Sequence, residues 1–125
     1  MSASLVGVGV GPGDPELLTA RARRVLREAD HVFAPTVEKD VVGRAESVVE
    51  AAGLGVTVER LVFDVTGDQA ARAAAHDRAA ARIVPLLDAR RSVAFVTLGD
   101  PNVYSTFPHL VRAVLGRRPG TPVET

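Results

Sequence analysis

The sequence predicts an α/β fold, an open, mainly parallel five-stranded sheet with helices on both faces. Three observations predict it. Short β-branched runs alternate with longer helical patterns in the order β-α-β-α-β-α-β-α-β. The first run, LVGVGV over 5–10, is apolar wherever it is not glycine, as befits a strand covered on both faces. The first and fourth runs both end in glycine, aspartate and proline, residues that turn a chain sharply from strand into helix.

Taken in order, 4–10 is a buried strand. The stretch 17–29 carries Leu17, Leu18, Ala22, Val25, Leu26 and Ala29 at helical spacing. Asp14 is placed to cap it, with Pro15 at the first helical position. A second strand over 31–34 is expected to stop at Pro35. A helix over 42–52 ends at Gly53, and a third strand follows over 57–63. Asp68 caps an alanine- and arginine-rich helix over 68–89, which Pro85 should kink or end. The fourth strand is 92–98, the next helix 103–115, and a fifth strand begins at 121–125.

The bulk composition narrows the function. With 125 residues and 46% apolar side chains, the chain is long enough for one domain with a core. Fifteen basic residues balance fifteen acidic ones, which leaves no electrostatic footprint for nucleic acid or an anionic membrane. There is no cysteine, hence no disulfide framework and no thiolate metal site. The first residues lack the basic flank of a signal peptide, and no apolar run approaches the length of a membrane span. A cytoplasmic protein is expected. The chain ends on a strand, so 1–125 is expected to be a single α/β domain cut from something longer.

The glycine loop after the first strand invites a nucleotide, but the pattern fails. Counted from Gly7, the sixth position of G-x-G-x-x-G is Pro12; counted from Gly9, it is Asp14. No Gly-Lys-Ser/Thr follows, and Asp14 would set a negative charge where a helix N-terminus should meet phosphate. The loop "LGDPNVYSTF" over 98–107 alters the picture. In a parallel sheet both loops leave the carboxyl edge, where ligands bind. Each offers glycine for close backbone approach, a carboxylate (Asp14, Asp100) and a stiffening proline. Carboxylates without basic partners suit a ligand bearing hydroxyls, an amine or positive charge. Asp100 has a second reading as the cap of the following helix.

Other candidates are weaker. His31, His76 and His109 show no metal-ligand spacing, and the adjacent side chains of His76 and Asp77 should diverge. Ser105 lies outside a G-x-S-x-G elbow, so it is not read as a nucleophile. The arginines at 21, 23, 24 and 27 form a solvated face, while Arg44 and Arg60 are candidates for substrate carboxylates.

"GVGVGPGDPELLT" (7–19) with "FVTLGDPNVYSTF" (95–107) resembles the tetrapyrrole methylase family, which methylates corrinoid precursors with S-adenosylmethionine. The Tyr104-Ser105-Thr106-Phe107 continuation, "GRAESVV" (43–49) and "RLVFDVT" (60–66) are similar to the branch that methylates C20 of precorrin-2 to give precorrin-3A. The resemblance covers essentially the whole chain. It implies that 1–125 is the N-terminal domain of a two-domain enzyme whose C-terminal domain is absent, so catalysis by this chain alone is not expected. It further implies that Pro12, Gly99, Asp100, Val103, Ser105 and Thr106 contact S-adenosylmethionine, and that Gly13, Asp14 and Tyr104 contact the tetrapyrrole. No metal, nucleic acid or membrane is implied, and the full-length form is expected to be a homodimer. No catalytic acid or base is assigned; Asp14, Tyr104 and water all stay open as acceptors of the meso proton.

Three other readings stand beside this one. The first is another member of the family, a uroporphyrinogen III methylase or a cobalt-factor II C20-methyltransferase. The second is a non-catalytic module that binds an adenosyl ligand. The third is an α/β domain whose two loops are only caps and turns.

Overall fold

The computed structural model describes residues 3–63, 68–99 and 106–125. Strands β1 (Ser4–Gly9), β2 (His31–Thr36), β3 (Val58–Val62), β4 (Ser92–Thr97) and β5 (Val123–Glu124) form one sheet in the order β3-β2-β4-β1-β5. Every pairing is parallel. The longest joins β1 to β4 from Ser4↔Ser92 to Gly9↔Thr97.

Side chains alternate across each strand, so the two faces acquire different cores. One face carries Leu5, Phe33, Val93 and Phe95, covered by α3 (Gln69–Asp88) and α4 (Phe107–Arg117). The other carries smaller residues, Val6, Val8, Val32, Ala34, Ala94 and Val96, covered by α1 (Ala20–Glu28) and α2 (Arg44–Ala51). Connections from β1 run toward the β3 edge and those from β3 run back toward β5, so right-handed crossovers send the two pairs of helices to opposite faces. The chain therefore leaves the neighbouring strands β1 and β4 in opposite directions. Their carboxyl ends bound the crevice in which such sheets bind ligands.

Gly7 belongs to this packing. A Cβ there would come within 2.7 Å of the Phe107 ring, which stacks on Phe95 at 6.1 Å between centroids. One glycine of the opening run thus makes room for an aromatic side chain from α4.

Several boundaries differ from those expected. Asp14 is a cap, but of the single turn Pro15–Leu17; α1 begins later, where the Thr19 hydroxyl accepts from the Ala22 amide at 3.0 Å. Pro35 does not stop β2. The Phe63 amide donates to the Thr36 carbonyl at 2.8 Å, so Thr36 faces β3 and Pro35 turns its nitrogen toward β4. Pairing with β4 ends at Phe33, and no ladder bond is lost. Helix α3 is capped by Asp68 as expected, but it runs through Pro85 to Asp88. Helix α4 spans Phe107–Arg117 with Thr106 in the cap position; the expected start at Val103, and Asp100, lie outside the described residues. The fifth strand is short and exposed.

His76 and His109 are not isolated. Their rings stack at 5.2 Å across α3 and α4, and Phe63 packs on His76 at 5.4 Å. Asp77 instead pairs with Arg117 at 2.9 Å, so the neighbours do diverge in their partners. The His76 Nε2 is buried with no partner among the described residues. Burial, then the adjacent His109, pushes the His76 pKa down, partly offset by a hydrogen bond to the Arg72 backbone.

Two predictions follow from this packing. Gly7→Ala should destabilise the fold by about 1–3 kcal/mol, as overpacked cores do, measured by urea denaturation. His76 should contribute a pH dependence of stability. Its folded pKa lies below the ordinary value of 6.5, so the unfolded chain binds more protons as the pH falls through that value. Stability should therefore be flat above this point and fall below it, with the slope reduced in His76→Phe.

Candidate functional site

The two glycine loops meet. The Val10 amide donates to the Thr97 carbonyl at 2.9 Å, extending the β1–β4 ladder, and the Gly99 amide donates to the Gly11 carbonyl at 3.3 Å. Gly11, Gly13 and Gly99 have φ of 79°, 137° and 69°, where a side chain is strained. A Cβ on Gly13 or Gly99 would meet no described residue within 4 Å. Contact with the described residues therefore does not require glycine at these two positions; the backbone conformation does.

Pro12, Gly13 and Asp14 are exposed after β1, as is Gly99 after β4. One Asp14 oxygen accepts from the Glu16 amide at 2.9 Å, fixing the carboxylate at the mouth of the crevice. The structure thus joins Gly99 to Gly11, the residue from which Pro12, Gly13 and Asp14 follow. Thr106, half-buried at the start of α4, lies on a neighbouring cleft. Asp100, Val103, Tyr104 and Ser105 lie outside the described residues.

That cleft has a volume of ≈ 460 Å³. Its floor and one wall come from the carboxyl ends of β2 and β4, through Pro35, Thr36, Thr97 and Leu98. Val37, Val41 and Val42 form an exposed apolar mouth, and the start of α2 closes one end. Leu98 lines the cleft and the next residue, Gly99, is bonded to Gly11, so the cleft adjoins the crevice. Sequence reasoning missed it, because its walls come from strands whose neighbours only the topology reveals.

The loop between β2 and α2 is tied down at Thr36. Its buried hydroxyl lies 2.9 Å from the Glu38 carbonyl and 2.6 Å from that of Val41. Behind the loop, the buried Glu46 pairs with Arg60 through two hydrogen bonds of 2.7 and 3.2 Å. Arg60 also donates to the Lys39 carbonyl at 3.1 Å. That bonding to Glu46 raises the Arg60 pKa. Arg60, a sequence candidate for substrate carboxylates, is therefore committed to partners within the chain, Glu46 and the Lys39 carbonyl. Arg44 is not: it is exposed on the cleft with no ion pair among the described residues.

Thr97 adds a second anomaly. It is 2% exposed, and its hydroxyl has no partner among the described residues. Such a group costs stability unless a ligand satisfies it.

A parallel sheet with paired glycine loops at its switch point and an apolar cleft alongside is the class of α/β domain whose ligands, as a rule, bind at the carboxyl edge. The family model for tetrapyrrole (corrin/porphyrin) methylases matches residues 4–125, and the chain belongs to this family. It is 33% identical over 94% of its length to a probable cobalt-precorrin-2 C(20)-methyltransferase of Methanocaldococcus jannaschii, covering 49% of that protein. It is 32% identical over 91% of its length to the cobalt-precorrin-2 C(20)-methyltransferase of Salmonella typhimurium, covering 48% of it. A precorrin-2 C(20)-methyltransferase of Sinorhizobium is 36% identical over 92% of the chain, which covers 50% of that protein. The chain thus spans about half the length of these relatives.

Among solved structures, a cobalamin-synthesis-related protein of Corynebacterium diphtheriae shares the fold with a TM-score of 0.73 at 21% identity, over 99% of this chain and 52% of that one. A uroporphyrin-III C-methyltransferase of Thermus thermophilus, complexed with S-adenosylhomocysteine, has a TM-score of 0.61 at 27% identity, over 98% of this chain and 44% of that one.

Thr97→Val keeps the shape of the side chain and removes the unpaired hydroxyl. It should raise the unfolding free energy of the ligand-free protein by about 1 kcal/mol, read by denaturant titration.

Proposed function

We propose that this chain is the N-terminal domain of an S-adenosylmethionine-dependent methyltransferase that methylates C20 of precorrin-2 to give precorrin-3A in cobalamin biosynthesis. The observation that carries the reading is the junction of the Gly11–Gly13 and Gly99 loops, bonded to each other through the Gly99 amide and the Gly11 carbonyl at the switch point. The curated relatives that act at C20 and the family membership support it.

The residues present fit the cosubstrate. Pro12 and Gly99, with Asp100, Val103, Ser105 and Thr106, are proposed to hold S-adenosylmethionine, whose sulfonium supplies an activated methyl group. Gly13, Asp14 and Tyr104 are proposed to face the tetrapyrrole. The exposed Asp14 carboxylate favours a positively charged neighbour at the crevice. The meso carbon of a reduced tetrapyrrole is an enamine-like nucleophile, so the protein's task is alignment rather than acid–base activation. Alignment alone lowers a barrier by roughly 7–11 kcal/mol in the best cases.

A second domain, a homodimer and a cytoplasmic location belong to the same proposal. Among the described residues no helix is long and apolar enough to cross a membrane.

The test is methyl transfer from labelled S-adenosylmethionine by the full-length protein, offered precorrin-2 with and without cobalt. Label at C20 of either ring is expected; absence of label at C20 in both would overturn the assignment. Gly99→Ala, which forces a Cβ onto a φ of 69°, costs about 1–2 kcal/mol locally. It should weaken S-adenosylhomocysteine binding by about tenfold, measured by calorimetry.

A further inference from the structure

The start of α2 lines the cleft without a side-chain cap. Gly43 occupies the cap position and supplies no side-chain bond. A Cβ at Gly43 would collide with the Pro35 carbonyl, so only glycine lets the helix start so close to the end of β2. The first amides of a helix have no partner within it and carry the positive end of its dipole. Arg44, the first residue of α2, is exposed, lines the same cleft and is the only charged residue among its described lining residues. The acid in this first turn, Glu46, is turned away into its pair with Arg60.

Thr97 gives an independent indication of a ligand. It lines the cleft, is 98% buried by its relative exposure of 2%, and its hydroxyl lacks a partner among the described residues. The mouth is the opposite in character, with Val37, Val41 and Val42 exposed at 53, 41 and 45%. A matching ligand has a broad apolar body, an anionic substituent at one end and a polar group that reaches the floor.

We propose that the N-terminus of α2 and Arg44 form a carboxylate-holding subsite for one peripheral acid side chain of the tetrapyrrole, with Thr97 as a hydrogen-bonding group on the floor. This rests on the methylase reading above and adds to it a determinant of specificity. A tetrapyrrole macrocycle is a broad plate fringed with carboxylates. An apolar slot fixes the plane of such a plate without fixing its rotation. One anchored carboxylate fixes the rotation, and the cleft's junction with the Gly99 loop then determines which meso carbon is turned toward the methyl donor. Arg44 and Thr97 are positioning residues in this account, and neither takes part in bond making.

Binding of uroporphyrin III, a tetrapyrrole with eight carboxylates, to the full-length protein tests the subsite through quenching of its fluorescence. Arg44→Gln should weaken binding about tenfold or more, and Arg44→Lys should recover part of the loss, because it keeps the charge without the planar fork. Thr97→Val should also weaken binding while its thermal midpoint does not drop. S-adenosylhomocysteine affinity should be the same in all three variants. If uroporphyrin binds wild type and Arg44→Gln equally, the subsite is overturned and the methylase reading stands. If wild type binds S-adenosylhomocysteine but no tetrapyrrole, the substrate reading itself fails and the subsite with it.

Discussion

The molecule depends on the parallel pairing of β1 with β4. These strands run side by side from Ser4↔Ser92 to Gly9↔Thr97, and the hydrogen bonds continue past them to Gly11 and Gly99. Because both strands are covered on both faces, polarity does not set their register; side-chain size does. One face takes Leu5 and Phe95 and leaves Gly7 open beneath Phe107, while the other takes Val6, Val8, Ala94 and Val96. A slip by one residue would exchange the large and small sets and place bulk where α1 and α2 lie close. The same register aligns the two loops beyond the strands, so core packing and site geometry share one cause.

The carboxyl edge then divides into two environments. Around Gly13 and Gly99 no described residue crowds the backbone, and the Asp14 carboxylate follows Gly13 in the same loop. Beyond Leu98 the edge becomes an apolar cleft whose single described charge is positive. Under the proposed function the Gly99 loop takes the cosubstrate, and the apolar cleft takes a broad ring that carries acids, with Gly13 and Asp14 between them. Leu98 and Gly99 are consecutive, so the two environments touch. That is the minimum requirement for transfer of a methyl group between two bound molecules.

Much of the fold was legible because it is local. β-branched runs mark the strands, and Asp68 caps α3 where the pattern says it should. Local signals also misled. Asp14-Pro15 is a real cap signal, but the turn it starts is three residues long, and Thr19 starts the helix proper. Pro35 is a strand breaker only where its missing N–H would be used, and that depends on where the β4 ladder stops. The site was half legible. The glycine loops announce themselves by composition, whereas the cleft requires the strand order, which no local pattern encodes. Arg44 and Arg60 look alike in the sequence. Only the long-range pairing of Arg60 with Glu46 separates the committed guanidinium from the free one.

The most direct test of two adjoining sites on one sheet edge is an amide chemical-shift map of the protein titrated separately with S-adenosylhomocysteine and with a tetrapyrrole carboxylate. The account predicts that the first ligand moves the Gly11 and Gly99 signals, that the second moves those of Gly13, Val41 to Ala45 and Thr97, and that the two sets meet at Leu98. Shifts confined to the amino edge of the sheet, or to α3 and α4 alone, would contradict it.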